Sequence, residues 1–162
     1  MQLVPQIITT HQRILVGKKL QMSLANYKIS ELWRSFMPQK REVKNRLNND
    51  LISLTVYDSN YFMAFDPEKN FIKWAAVEVT SMDEVPSELD IMVIPEGMYA
   101  VFNYKGLASD HSFFQYLLGS WLPASEYVLD ARPHFEVLGE KYSNTAPDSE
   151  EEIWIPIKSK HN

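Results

Sequence analysis

A glutamate near the end of the chain stands inside a run of residues that otherwise favours a buried strand. Glu136 lies between Phe135 and Val137 in the segment 132-RPHFEVLGEKY-142. Because side chains alternate between the two faces of a strand, Phe135 and Val137 share one face and Glu136 lies on the other. An unpaired buried carboxylate is costly, so the surroundings must supply hydrogen-bond donors, a cation or a proton.

Three roles are open for Glu136. It could reach solvent at a sheet edge or pair with a nearby basic side chain. It could attract a cationic ligand through its charge, or act as a general acid or base if burial favours its neutral form. The basic side chains that could pair with it are Arg132, Lys141 and Lys105.

Aromatic residues provide the second candidate feature. In 152-EIWIPIK-158 the isoleucines alternate with Trp154, so Trp154 faces away from them. If the isoleucines form the core, we expect Trp154 to lie alongside Glu136. An indole face beside a carboxylate suits a cationic organic ligand, since a cation–π contact contributes about 0.5–2 kcal/mol.

Three further aromatic residues are candidates for the same site. Trp74 and Tyr57 occupy similar places in the first half of the chain, and Trp121 could cap a groove from the end of a predicted helix. Core packing is the alternative role for each of them.

Two segments of the chain resemble each other at an offset of 85 residues. They are 32-LWRSFMP-38 and 117-LLGSWLP-123, and their apolar residues recur with the spacing of an amphipathic helix. Each predicted helix should stop near its proline, because the residue before proline avoids the helical region.

The segments around these helices favour strands in the same order in both halves. Each half therefore reads strand, helix, strand, strand, and the polar segment 81–88 marks the boundary. We expect a first unit at about 5–82 and a second at about 88–158. The predicted strands are 12–24, 51–57 and 71–80 in the first half, and 89–106, 127–139 and 152–158 in the second.

A duplicated βαββ unit predicts an α+β fold. Each half has one helix for one sheet face, so two halves related by a pseudo-twofold axis must bury their remaining apolar surface against each other. A groove at their junction is then a natural ligand site. The segment 143–152 is expected to be a loop, and its acidic run a solvated surface.

Composition excludes several classes of protein. The 162 residues include no cysteine, which rules out disulfides, thiolate catalysis and cysteine-ligated metal. No signal peptide or run of about 18 apolar residues is present, so we expect a cytoplasmic protein. A net charge of -5 argues against direct nucleic-acid binding.

No cofactor or metal site is expected. The four histidines lack the paired spacing of metal ligands, and neither a GxSxG nucleophile motif nor a glycine-rich phosphate loop occurs. The histidines are His11, His111, His134 and His161.

Three segments of the second half together resemble the GyrI-like small-molecule-binding superfamily, which includes the effector-binding domains of AraC-type and MerR-type multidrug regulators. They are 97-GMYAVFNYKG-106, 120-SWLPASEYVLDARPHFEVLGEKY-142 and 150-EEEIWIPIK-158. The motifs WLP, RPxFE and IWIPI, in that order and spacing, are specific; the first half matches mainly through its element order.

The resemblance implies two pseudo-symmetric βαββ units of SHS2 type with an antiparallel sheet and a ligand groove at their junction. It also implies that Glu136 contacts cationic or polar ligands, with Trp121 and Trp154 among the aromatic walls. Many relatives carry an aromatic residue where this chain has Leu138. The regulators have a helix–turn–helix region before this module; with a first strand by about residue 5, we expect a stand-alone member lacking a DNA-binding domain.

Three functions follow from the resemblance. The first is a binding protein for hydrophobic, often cationic small molecules, with a regulator protein as a possible partner. The second is a hydrolase of reactive small molecules, in which Glu136 activates water and Tyr104 or Tyr57 orients the substrate. The third is a gyrase inhibitor, in which the acidic run 148-DSEEE-152 mimics the charge of DNA.

Overall fold

The computed structural model describes residues 3–107 and 112–161. In the first half of this described chain lie β1 (Gln6–Thr10), β2 (Arg13–Ser23), α1 (Ile29–Lys40), β3 (Leu51–Val56) and β4 (Asn70–Val79). In the second half lie β5 (Asp90–Ile94), β6 (Gly97–Lys105), α2 (Ser112–Tyr116), a π-helical turn (Leu117–Trp121), α3 (Leu122–Ala124), β7 (Tyr127–Leu129), β8 (His134–Leu138) and β9 (Glu150–Ser159).

The strands form one antiparallel sheet in the order β1-β6-β9-β8-β3-β4-β2-β5, with β7 paired to β9 beside this path. The order reads the same from either end when the strands of one half are exchanged for their counterparts in the other. Each half also gives its first strand to the edge of the other half, β1 to β6 and β5 to β2. The predicted α+β fold of two related halves is confirmed.

Helices cover one face of this sheet, which we call the outer face. Leu32 and Phe36 of α1 pack onto β2 and β4. Phe113 of α2 and Leu117 of the π-helical turn pack onto β6 and β9. The strands β3 and β8 lie between these two covered regions, at the junction of the halves. No helix in the described residues combines the length and apolar character needed to span a membrane.

The inner face of the sheet encloses a separate hydrophobic core. The strands β1 and β5 are at opposite ends of the strand order, yet Ile8 and Ile94 belong to the same cluster. The Arg13 guanidinium lies 4.5 Å from the centre of the Trp154 ring, although three strands separate β2 from β9. The sheet therefore curls until its two ends meet over an aromatic interior.

Several predicted boundaries differ from the structure. The predicted strand 89–106 is two strands, because it is interrupted at Pro95 and Glu96 and its two parts pair with different neighbours, β5 with β2 and β6 with β1 and β9. The predicted strand 127–139 is also two, β7 and β8, separated by a turn. The helix α1 continues to Lys40, two residues past Pro38, since the fixed φ of proline is compatible with the last helical turn.

One glycine is required by the close approach of two backbones. Gly17 of β2 is paired with Ala76 of β4, and a Cβ atom at Gly17 would overlap the carbonyl oxygen of Ala75 and lie 2.6 Å from the Ala76 Cα. Neither contact can be relieved by moving a side chain, because both atoms belong to the backbone of a central strand.

We therefore expect Gly17→Ala to lower the free energy of unfolding by about 1–3 kcal/mol through overpacking. The matched control is Gly119→Ala, since a Cβ atom at Gly119 meets nothing within 4 Å. The control should be neutral or stabilising by up to about 1 kcal/mol. Guanidinium denaturation measures both, and equal unfolding midpoints for the two variants would contradict this account of the β2–β4 contact.

Candidate functional site

Polar side chains occupy the sheet between the two helical regions. Residues that pair across antiparallel strands share a face, and Glu136 pairs with Ser53 on one side and Ile153 on the other. Ile153 packs beneath α2, so Glu136 also points to the outer face, where it is half-buried. We call the polar side chains on the outer face of β3 and β8 the central strip; they are Ser53, Thr55, His134 and Glu136.

A second carboxyl group adjoins Glu136. Glu151 lies two residues before Ile153 in β9, so both side chains are on the outer face, where Glu151 is half-buried. Burial, followed by the charge of Glu136 and a hydrogen bond to it, raises the pKa of Glu151 to about 8. The neutral form of Glu151 is therefore favoured beside Glu136.

A lysine reaches the same place from the neighbouring strand. Lys73 of β4 lies in one row with Thr55 and His134, and its Nζ donates to Thr55 Oγ1 over 2.8 Å. Burial lowers the pKa of Lys73, while the charges of Glu136 and Glu151 oppose that shift. One lysine and two carboxyl side chains therefore influence one another on this part of the outer face.

Aromatic rings form a wall at one end of the strip. The Tyr57 ring meets the His134 ring edge-on with 4.9 Å between centroids, and Phe62 stacks against His134 at 5.7 Å. Burial, helped by the charge of Lys73, lowers the pKa of His134 to about 3. At neutral pH this histidine is an uncharged aromatic surface. Tyr61 and Phe71 extend the wall behind Tyr57.

Three tyrosines lie near enough to Glu136 for its charge to act on their phenols. Burial raises the pKa of Tyr27, Tyr57 and Tyr142, and the charge of Glu136 adds to the effect in each case. All three are neutral at pH 7 and can donate hydrogen bonds. Tyr27 precedes α1 and Tyr142 follows β8, so the loops at the junction contribute them. Tyr27 is the accessible member, with 54% of its surface exposed.

Two of the candidate tryptophans lie on the opposite face of the sheet. Trp154 is 5% exposed and stacks on Phe135, with 5.0 Å between ring centroids. Trp74 is 3% exposed in the same inner core. The expectation that Trp154 lies alongside Glu136 is wrong, because the isoleucines, and not Trp154, share a face with Glu136. Phe135 and Val137 likewise face the inner core and not a helix.

Trp121, the last residue of the π-helical turn, and Tyr104 of β6 lie on the outer face, where the second helical region packs on the sheet. Trp121 is half-buried, meets Phe102 edge-on at 5.3 Å and stacks on Tyr127 at 6.4 Å. It borders a cavity of about 290 Å³ whose other walls are Tyr116, Ser120, Ala124 and Ser125. Tyr104 pairs with Glu151 across strands, but it is buried against Phe113 and its hydroxyl donates to the Leu107 carbonyl over 3.1 Å.

The histidines and the acidic run need separate statements. His111 lies outside the described residues, and His11 and His161 are exposed. In the described part of the chain, no group of three or more metal-binding side chains is arranged to hold a metal ion. The expected loop 143–152 is wrong at its end, because Glu150 already begins β9 and Glu151 is half-buried beside Glu136.

Sequence reasoning missed four residues that interact with Glu136, namely Glu151, Lys73, Tyr27 and Tyr142. Period-2 alternation could have found Glu151, in phase with Ile153, and Lys73, in phase with Phe71 and Ala75. Tyr27 and Tyr142 lie in loops, where no periodicity exists to indicate which side chains meet.

Three comparisons relate the chain to known proteins. A family model described as "Integron-associated effector binding protein" matches residues 6–157. No curated protein sequence matches the chain. The structure of SAV2435 bound to tetraphenylphosphonium has a TM-score of 0.72 at 16% identity, covering 98% of this chain and 94% of that one.

Two other solved structures have the same fold. The EcmrR C-terminal domain gives a TM-score of 0.71 at 14% identity, with 98% of this chain and 99% of that one covered. An integron cassette protein from Vibrio cholerae gives 0.64 at 16% identity, with 98% and 100% covered. The resemblance to GyrI-like effector-binding domains is confirmed. Since the family model spans nearly the whole sequence, the chain belongs to the Cass2 family of integron-associated effector binding proteins.

Proposed function

We propose that the protein binds small aromatic cations on the central strip, with Glu136 as the counter-charge. One observation carries this proposal: Glu136 is half-buried on the outer face, and its charge acts on the tyrosine rings around it. A carboxylate held away from bulk water attracts a cation more strongly than an exposed one, because the local dielectric constant is lower.

The chemistry of a known neighbour supports this ligand class. Tetraphenylphosphonium, the compound bound to SAV2435, carries one positive charge inside four phenyl rings. Such a cation has no hydrogen-bond donor, so a protein can recognise it only through charge and ring contacts. Glu136 would supply the charge, and Tyr57, Phe62 and His134 the ring faces. Tyr27 is the accessible ring that could close over the ligand.

The biological role we propose is sensing or sequestration of such compounds in the cytoplasm. An effector-binding protein of this kind can act alone or through a separate regulator protein. Among the ligand-binding residues predicted from the sequence, Glu136 and Tyr57 belong to the proposed binding site. Trp121 would belong to it only if a ligand extends beneath the second helical region.

A second candidate function is hydrolysis at the same carboxyl pair. The favouring observation is that burial and the charge of Glu136 raise the pKa of Glu151, which favours an acid next to a base. Turnover of a strained electrophile by the native protein, abolished in Glu136→Gln, would establish this activity. Stoichiometric binding without product would leave the binding function alone.

For the binding function we expect Glu136→Gln to weaken tetraphenylphosphonium binding by at least about tenfold, equivalent to about 1.4 kcal/mol. The physical reason is loss of the counter-charge at nearly constant side-chain volume. Binding of neutral triphenylphosphine oxide should change by less than about twofold. Isothermal titration calorimetry measures both affinities.

The matched control is Glu152→Gln. Glu152 is close to Glu151 in β9 but faces the inner side, where it accepts a hydrogen bond from Trp154 Nε1 over 3.1 Å. Glutamine retains that acceptor and removes the same charge from the protein. Equal weakening of the cation by both variants, or equal loss for cation and neutral compound in Glu136→Gln, would contradict the assignment of Glu136.

A further inference from the structure

The connection between β3 and β4 presents apolar side chains to solvent beside the candidate site. We call residues 58–69 the β3–β4 loop. Met63 is 83% exposed and Phe65 is 84% exposed; among the large apolar side chains that the structure describes, only Val4 is more exposed. Single exposed apolar residues are common, but Phe62, Met63 and Phe65 are all exposed within one short stretch. Such a cluster is typical of a surface that binds a ligand or a partner.

The β3–β4 loop is held by hydrogen bonds although its tip is exposed. The Lys69 ammonium group donates to three carbonyl oxygens of the loop, those of Asn60 at 3.2 Å, Tyr61 at 3.4 Å and Ala64 at 3.0 Å. The amide of Ala25, after β2, donates to the Pro67 carbonyl oxygen over 2.8 Å. These bonds order the backbone around Met63 before any ligand arrives, and this preorganisation lowers the entropy cost of binding.

Phe62 connects the loop with the ring wall of the candidate site. Its ring stacks on His134 at 5.7 Å and meets Tyr57 edge-on at 4.8 Å between centroids. Since consecutive Cα atoms are about 3.8 Å apart, Phe65 lies at most about 11 Å from Phe62. We call Met63 and Phe65 the apolar lip of the site. The ring wall and the apolar lip are therefore adjacent surfaces.

We propose that the apolar lip binds the hydrophobic tail of an amphipathic cation whose aromatic head lies on the central strip, so that Met63 and Phe65 select ligands by the length of the tail. This inference rests on the proposed binding of cations at Glu136. The head occupies the ring wall, and a tail that leaves the wall past Phe62 meets the lip as the next apolar surface. Each methylene that the lip covers is removed from water, and this adds to the affinity.

The charge of the β3–β4 loop favours such a ligand over other occupants of an apolar surface. Asp58, Asp66 and Glu68 are exposed carboxylates of this loop. A second copy of the chain would bring two sets of these carboxylates together, and an anionic lipid surface would meet the same repulsion. A cation is attracted by the same charges.

The experiment is calorimetric titration of the full chain with methyl-, butyl- and octyltriphenylphosphonium, which share one cationic head and differ in tail length. We expect the affinity of the native protein to rise at least about tenfold from methyl to octyl. In the double variant Met63→Ser with Phe65→Ser the rise should be less than about threefold, and the affinity for the methyl compound should stay within about twofold of native. Both positions are exposed, so these substitutions leave the hydrophobic core intact.

The matched control is Val4→Ser, since Val4 is also highly exposed but lies before β1, at one end of the strand order. An unchanged rise in the double variant, or an equal loss of the rise in Val4→Ser, would overturn the role of the lip. Glu136-dependent binding that does not strengthen with tail length would overturn the lip and leave the binding function standing. Absence of any binding of the methyl compound would overturn the proposed function and this inference with it.

Two ligand-free measurements test the other occupants of the lip. They are sedimentation equilibrium of the full chain and flotation with vesicles of phosphatidylcholine and phosphatidylglycerol. We expect the native protein and the double variant to have the same mass in solution, and neither to float with the vesicles. A native dimer that dissociates in the double variant, or vesicle binding that the double variant loses, would assign the lip to that occupant and overturn the inference.

Lys69 is a positioning residue of the lip. We expect Lys69→Met to lower the octyl-to-methyl affinity ratio by at least about threefold, because the three carbonyl oxygens lose their shared donor and the loop is no longer preorganised. Lys160→Met is the matched control, since Lys160 Nζ donates to one carbonyl oxygen, that of Pro123, over 2.9 Å. A lower free energy of unfolding in Lys69→Met with an unchanged affinity ratio would overturn the positioning role of Lys69.

Discussion

The pairing of β3 with β8 joins the two halves of the protein, and its register decides which face Glu136 occupies. Ser53 lies opposite Glu136, and this places the carboxylate on the outer face. A slip of one residue would turn Glu136 into the inner core beside Phe135 and Trp154, where an unpaired charge is costly. The inner core thus enforces the register, and the register presents the carboxylate at the junction.

The arginine and the glutamate of the RPxFE motif have different roles: Arg132 holds the start of β8 in place, and Glu136 is the side chain that the register presents on the outer face. Arg132 donates to the carbonyl oxygens of Met98 on β6 and Ile157 on β9, and it pairs with Asp130 at 3.0 Å. Its guanidinium also lies over the Tyr99 ring. Arg132 therefore fixes the start of β8 against two other strands, four residues before Glu136. Arg132 therefore stabilises the fold, and Glu136 is the half-buried carboxyl group at the junction of the halves.

Periodicity and the internal repeat were sufficient to predict the elements, their order and the α+β class. They could not predict which face of the sheet the helices cover, because a strand that is apolar on both faces looks alike from either side. For that reason the sequence predicts Trp154 beside Glu136, whereas in the structure the two side chains lie on opposite faces of the sheet. Tyr27 and Tyr142 were beyond sequence reasoning for another reason, since only the closed topology brings their loops together.

The candidate site separates charge from aromatic surface along the central strip. Glu136, Glu151 and Lys73 influence one another's charge at one part, while Tyr57, Phe62 and His134 form a wall of rings close by. This separation depends on keeping His134 neutral, because a charged imidazole would repel Lys73 and compete for the same carboxylate. Burial removes that competitor, so an incoming ligand finds charge recognition and ring contact on adjacent surfaces. An amphipathic aromatic cation can satisfy both surfaces at once, whereas a hydrophilic metal ion or a neutral hydrocarbon satisfies one.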